Sequence, residues 1–238
     1  MGAQEWQNAA SLTMRKQSLN LYGTRTSEFW RLPYWRPTQQ VTIDPMHLMF
    51  LILQQRFFRD PSALGLEINK NNNLTLERIQ QTIQQVIVPA WVDKPPPSIG
   101  HAQAGSIKAD HWRTMFSLYL PLALISLWSL DSPIKSCDAA TMKSALDTAM
   151  HLSCASIMMT KSNLTESRRR QFRYSIHQHI SGLKENFPAF QLPSHHLSFH
   201  LDLFMDLFSN VRNWWCFQGE LLILKLRGIP INHRVGKR

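Results

Sequence analysis

A mainly α-helical fold is predicted by three features of the sequence. Glycine is scarce, 9 residues in 238, whereas sheet-rich barrels and nucleotide-binding folds need many turns at positive φ. Apolar residues recur at helical spacing in one segment after another. Only one short β-branched run, Val41-Thr42-Ile43, reads as a strand.

The elements follow in order. Trp6 to Asn20 has helical apolar spacing and then meets Gly23, a helix stop, so a short amphipathic helix is expected there. Phe29 to Pro37 is aromatic, and Pro33 and Pro37 exclude a continuous helix, which leaves an extended, packed loop. The strand at 40–44 is bounded by Asp44-Pro45, and Met46 to Phe58 is apolar and helical in length. Asn69 to Asn73 is a polar loop; Thr75 to Val88 is a helix ended by Pro89. Pro95-Pro96-Pro97 opens an extended connector to Gly105. Helices are then expected at Ala109 to Leu130, Thr141 to Met159, Arg168 to Leu183 and about Trp214 to Leu226. Between the last two, Leu197, Leu201, Phe204 and Phe208 form one helical stripe. No repeat period joins these unequal helices, which excludes solenoids.

Met115 to Leu130 is an uncharged run of 16 residues interrupted by Pro121. A membrane span needs about 20 residues, so a core helix is expected and no membrane association. Met1 to Lys16 lacks the apolar stretch of a signal peptide. The three cysteines, Cys137, Cys154 and Cys216, are too few and too widely spaced for a disulfide framework or a zinc clip. A nuclear or cytoplasmic, non-secreted chain is expected, and the glycosylation-like Asn73-Leu74-Thr75 and Asn163-Leu164-Thr165 read as chance matches.

Several chemistries are excluded by their missing residues. Gly100 to Gly105 has phosphate-loop spacing but lacks the following lysine, and no Gly-x-Ser-x-Gly elbow exists. Five histidines crowd 177–200, and His196 and His200 are spaced i, i+4. Two ligands fall short of a zinc site, so these histidines read as polar residues edging a core stripe, with Asp202 and Asp206 on a solvated face. Positive charge is unevenly spread: of the net +10, residues Ser209 to Arg238 hold +5, from Arg212, Lys225, Arg227, Arg234, Lys237 and Arg238 against Glu220. With Arg168-Arg169-Arg170, this segment suits contact with DNA phosphates through counterion release, while a solvated face with a basic tail is the alternative. Glu220 is a lone carboxylate on a greasy helix, either an exposed position or, with Asp44, a divalent-metal ligand.

The motifs Tyr22-Gly23-x-Arg25-x-Ser27-Glu28, Arg31-Leu32-Pro33-Tyr34-Trp35-x-Pro37-Thr38 and Ile43-Asp44-Pro45-Met46-His47 occur in this order. They are followed by Pro89-x-Trp91-Val92, Gly105-x-Ile107-Lys108-Ala109-Asp110-x-Trp112-Arg113, Tyr119-Leu120-Pro121, Pro193-x-His195-His196, Trp214-Trp215 and Asn232-His233-Arg234-Val235-Gly236. This series resembles the CACTA (EnSpm-like) DDE transposases of mushroom-forming fungi over nearly the whole chain. The resemblance implies the C-terminal part of an RNase H-like α/β transposase core interrupted by a helical insertion. Residues 1–44 would be an N-terminal helix, the aromatic segment and a remnant strand of that core, 45–208 the insertion, and 209–238 the glutamate helix and basic tail.

Such enzymes use three carboxylates to hold two Mg²⁺ ions. Asp44 and His47 match the family's Asp-x-x-His motif, and Glu220 matches its glutamate after Trp-Trp, the third catalytic acid and a Mg²⁺ ligand only beside the other two carboxylates. The first two acids would fall before Met1. The resemblance therefore implies a truncated, inactive transposase fragment, with no cofactor of its own and residual affinity for transposon-end DNA. The alternative is a helical scaffold or interaction module, whose protein partner would cover exposed rings at Trp30, Tyr34 and Trp35. Two departures stand out: Gln218-Gly219-Glu220-Leu221 where the family has Pro-Phe-Glu-Arg, and Phe208-Ser209-Asn210 where it has Phe-Gly-Pro.

Overall fold

The computed structural model describes residues 2–65, 74–128 and 139–229, with 38 and 139–141 described in backbone alone. Among the described residues it is all-helical and contains no strand. Two compact units, Met1–Thr42 and Ile43–Arg238, divide the chain.

In the first unit the helix expected at Trp6 to Asn20 is two helices, α1 (Gly2–Asn8) and α2 (Leu12–Tyr22). They separate because the Ser11 side chain accepts the Met14 N–H and starts a new helix. Gly23 ends α2 as expected, at φ 65° with its N–H bonded to the Leu19 carbonyl. The aromatic segment contains a 3₁₀ turn at Glu28–Arg31 and the short α3 (Pro37–Gln40). Phe29 stacks on Trp35 at 4.9 Å.

The expected strand at 40–44 is absent. Val41 is extended, at φ −91° and ψ 102°, but among the described residues no second strand offers the ladder that an isolated β segment needs. Asp44 instead caps a helical turn. Its carboxylate Oδ2 accepts the His47 N–H at 2.9 Å, its carbonyl accepts the Leu48 N–H, and Pro45 supplies a φ already suited to a first turn.

In the second unit, a wide π-helical segment, Met46–Gln54, runs into α4 (Gln55–Arg59) and forms the centre of the core. Met49, Phe50, Leu53 and Phe57 on it are fully buried. α5 (Leu74–Gln85) packs beside α7 (Leu120–Trp128). α7 continues α6 (Ala109–Thr114) through a π turn at Met115–Tyr119, in which the Leu120 N–H reaches back five residues to the Met115 carbonyl. That widening lies immediately before Pro121, whose ring and missing N–H a regular α-helix would not tolerate. The uncharged run is thus a core helix, with Phe116, Tyr119, Leu120 and Leu124 wholly buried. No described helix is long and apolar enough to cross a membrane.

α8 (Ala139–Met159) and α9 (Glu166–Asn186) pack along their lengths as the longest pair. α9 begins before the expected Arg168 because the Thr165 hydroxyl accepts the Arg168 N–H. On α10 (Pro193–Phe208) the buried residues are Ser198, Leu201, Phe204 and Met205, so the core stripe is rotated from the expected one and leaves Leu197 exposed. Of the expected solvated face Asp206 is exposed, whereas Asp202 is largely covered. Asp202 meets Arg169 Nε at 3.1 Å and Arg173 at 2.9 Å, and Asp206 meets Arg169 at 2.6 Å, which joins α10 to α9.

Candidate functional site

Beyond α10 the backbone turns sharply at Ser209, where φ is 64° and ψ −142°. Asn210 holds the turn: its amide donates to the Lys161 carbonyl at 2.6 Å and its Oδ1 accepts the Arg212 N–H. A 3₁₀ turn, Val211–Asn213, follows, with Val211 fully buried. Trp214 and Trp215 precede the last helix rather than belonging to it, and both pack against the core while half-buried. α11 (Phe217–Arg227) then projects with no buried residue.

This path brings the C-terminal segment to Asp44. The Cys216 N–H donates to Asp44 Oδ1 at 2.8 Å across 172 positions of sequence. Asp44 Oδ2 accepts from His47 Nδ1 at 2.5 Å as well as from the His47 N–H. With Nδ1 donating, the lone pair of the ring lies on Nε2. That Nε2 lies 3.9 Å from Glu220 Oε1, and the Glu220 N–H is bonded to the Cys216 carbonyl one helical turn back. Burial and the two carboxylates push the Cys216 thiol up from its ordinary range. Asp44, His47 and Glu220 are thus brought together, and Cys216 joins them.

Sequence reasoning missed Cys216. Its signal was the i, i+4 spacing of Cys216 and Glu220, the helical counterpart of Asp44-x-x-His47. Ligand atoms of Asp44, His47 and Cys216 lie within 4.8 Å of one another, the one set of three or more such residues among those described. The two Mg²⁺ ions of a DDE centre do not fit here. Magnesium seeks an octahedral shell of oxygens, whereas the donors here include an imidazole and a thiol.

The other expected site residues fall elsewhere. Arg212 is exposed, but its Nε donates to the Thr160 carbonyl at 3.0 Å and its guanidinium lies 5.7 Å from the Trp215 ring centre. Lys225 and Arg227 are exposed on α11. Arg234, Lys237 and Arg238 lie outside the described residues. Of the basic triplet opening α9, Arg169 is committed to Asp202 and Asp206, and Arg168 donates to the Asn163 carbonyl, which leaves Arg170 exposed. His196 and His200 bond to each other through their Nε2 atoms, 3.1 Å apart. His196 borders a cavity of about 370 Å³ between α9 and α10 that Phe187, Phe190 and His195 also line.

No protein-family model, curated protein or solved structure matches the chain.

Proposed function

We propose that the chain is a transposon-derived protein of the CACTA (EnSpm-like) type, a relative of cut-and-paste DNA transposases that binds duplex DNA and does not itself cleave strands. The observation that carries this reading is the meeting of His47, itself held by Asp44, with Glu220 173 positions away, residues that match two separate motifs of the resembled family. The helical character of 45–208 accords with an insertion between those motifs. Ser209 adds independent support. It occupies a backbone region that only glycine enters without strain, at the position where the family has glycine.

Strand cleavage by two metals needs a set of anchoring carboxylates, and this cluster offers two beside an imidazole and a thiol. Residual DNA affinity rests on Lys225 and Arg227 of α11 and the basic residues that follow. A reducing nuclear or cytoplasmic location fits the free Cys154 and Cys216.

The test is to incubate the purified chain with a terminal-repeat duplex and Mg²⁺ while fluorescence anisotropy follows binding. No nicking or joining is expected, together with binding that weakens steeply between about 50 and about 200 mM salt. Cleavage that is lost on Glu220→Gln would overturn the inactivity, and affinity insensitive to salt would overturn the DNA-binding assignment.

A helical interaction module is the second reading, favoured by exposed apolar side chains. Trp30 is 56% and Tyr34 67% accessible, while Leu222, Leu224 and Leu226 on α11 exceed half. Trp35, by contrast, is half-buried. A chain that ignores DNA at all salt concentrations would favour this second reading.

A further inference from the structure

We propose that Asp44, His47, Cys216 and Glu220 form a binding site for one zinc-type divalent cation, which clips the start of the central helix to the start of α11. Three observations support it. The donors of Asp44, His47 and Cys216 lie within 4.8 Å of one another, and the Glu220 carboxylate faces His47 Nε2 at 3.9 Å. Ligand bonds of 2.0–2.3 Å to a tetrahedral zinc put neighbouring donors roughly 3.3–3.8 Å apart, so three donors spread over at most 4.8 Å lie near the spacing that one such ion imposes.

The chemistry of the donors selects the ion. A thiolate and an imidazole favour Zn²⁺ or Co²⁺ over Mg²⁺ and Ca²⁺, which prefer oxygen. The frame is also built in advance. The Cys216 N–H is fixed to Asp44 Oδ1, the His47 N–H to Asp44 Oδ2, and the Glu220 N–H to the Cys216 carbonyl, so the backbones of all three partners are positioned without an ion.

The site is independent of the DNA-binding reading, because it requires no nucleic acid. The test uses the full untagged chain, reduced and freed of metal with a chelator, then titrated with Co²⁺ alone. Expected are a saturable sulfur-to-cobalt charge-transfer band and the visible bands of tetrahedral cobalt, both bleached by Zn²⁺ and not by the same concentration of Mg²⁺. Cys216→Ser should abolish the charge-transfer band, and His47→Gln and Glu220→Gln should each weaken cobalt binding at least about tenfold. Cys154→Ser and Cys137→Ser should leave the spectrum unchanged.

Circular dichroism melting of the metal-free variants confirms that each folds, and Glu220→Gln, on an exposed helix, supplies a measurement even where Cys216→Ser does not fold. The proposal falls if the wild-type chain gives no sulfur band, if the band survives Cys216→Ser, if Mg²⁺ competes as well as Zn²⁺, or if cobalt binding is lost on His196→Ala instead. Metal binding without DNA binding would leave the site standing and remove only the transposase reading.

Discussion

Single residues show where this chain works against its own backbone or its own charge. Ser209 is the described non-glycine residue at positive φ, and its ψ of −142° places it where a Cβ is strained. Such residues cost of order 1–3 kcal/mol, part of which a glycine returns through the greater freedom of its unfolded chain. Ser209→Gly is therefore expected to stabilise the protein by about 1–2 kcal/mol, read as a higher urea midpoint at unchanged m-value. His179 is strained by protonation instead. It is buried, its Nδ1 donates to the Thr148 carbonyl at 2.9 Å, and its ring packs edge-on with Phe57, centroids 5.1 Å apart. Burial lowers its pKa from 6.5 to about 3. Below about pH 6.5 the unfolded chain takes up a proton that the folded chain refuses, so stability falls as pH drops from about 6.5 towards about 3, by up to about 1.4 kcal/mol per unit. Above that range this histidine adds no pH dependence. Burial displaces His195 in the same direction, and His151 too, there opposed by Asp147. His179→Gln keeps a donor for Thr148 and should flatten the acid limb of urea midpoints measured between about pH 4.5 and pH 7.

At the scale of elements, helices are held by close approach as much as by apolar burial. Gly182 of α9 faces Thr148 of α8: a Cβ there would collide with Thr148 Oγ1 and lie 3.2 Å from its Cβ and Cγ2. Thr148 cannot yield, because it is β-branched, donates to the Ser144 carbonyl at 2.8 Å and accepts from Asn186 at 3.1 Å. An ordinary helical Gly→Ala change gains up to about 1 kcal/mol, whereas Gly182→Ala is expected to cost about 1–3 kcal/mol by overpacking, measured as a fall in chemical-denaturation stability. The helices themselves were legible from apolar spacing, and Gly23 marked a real end. Three of the misreadings share one cause, the competition of a side chain for backbone N–H groups. Ser11 divides the first helix, Thr165 starts α9 early, and Asp44 makes a cap of what reads as a strand end. The Asp44–His47 half of the candidate site was legible as a local motif, since its bonds span three residues. Its contact with Cys216 was not, because only the turn at Ser209 and the packing of Val211 set where residue 216 arrives.

For the whole molecule, a net charge of +10 does not state how many cations are available to a phosphate backbone. Arg169 and Arg173 are spent on Asp202, Asp206 and Glu166 within the second unit, at 2.6–3.7 Å. Lys225 and Arg227 are exposed on a helix that buries nothing. Each phosphate contact contributes about 0.9 to the slope of log affinity against log salt. The double variant Lys225→Gln/Arg227→Gln is thus expected to reduce that slope by about 1.8, which over a fourfold rise in salt corresponds to about a tenfold difference in affinity. Arg173→Gln should leave the slope unchanged, because its charge is already matched inside the fold, although the α9–α10 junction loses an ion pair. Equal reductions from the two experiments would mean that the arginine–aspartate junction opens onto DNA, and the basic face would then have to be relocated from α11 to α9. A slope carried by α11 alone would place the DNA beside Glu220, next to the cluster that the resembled motifs bring together.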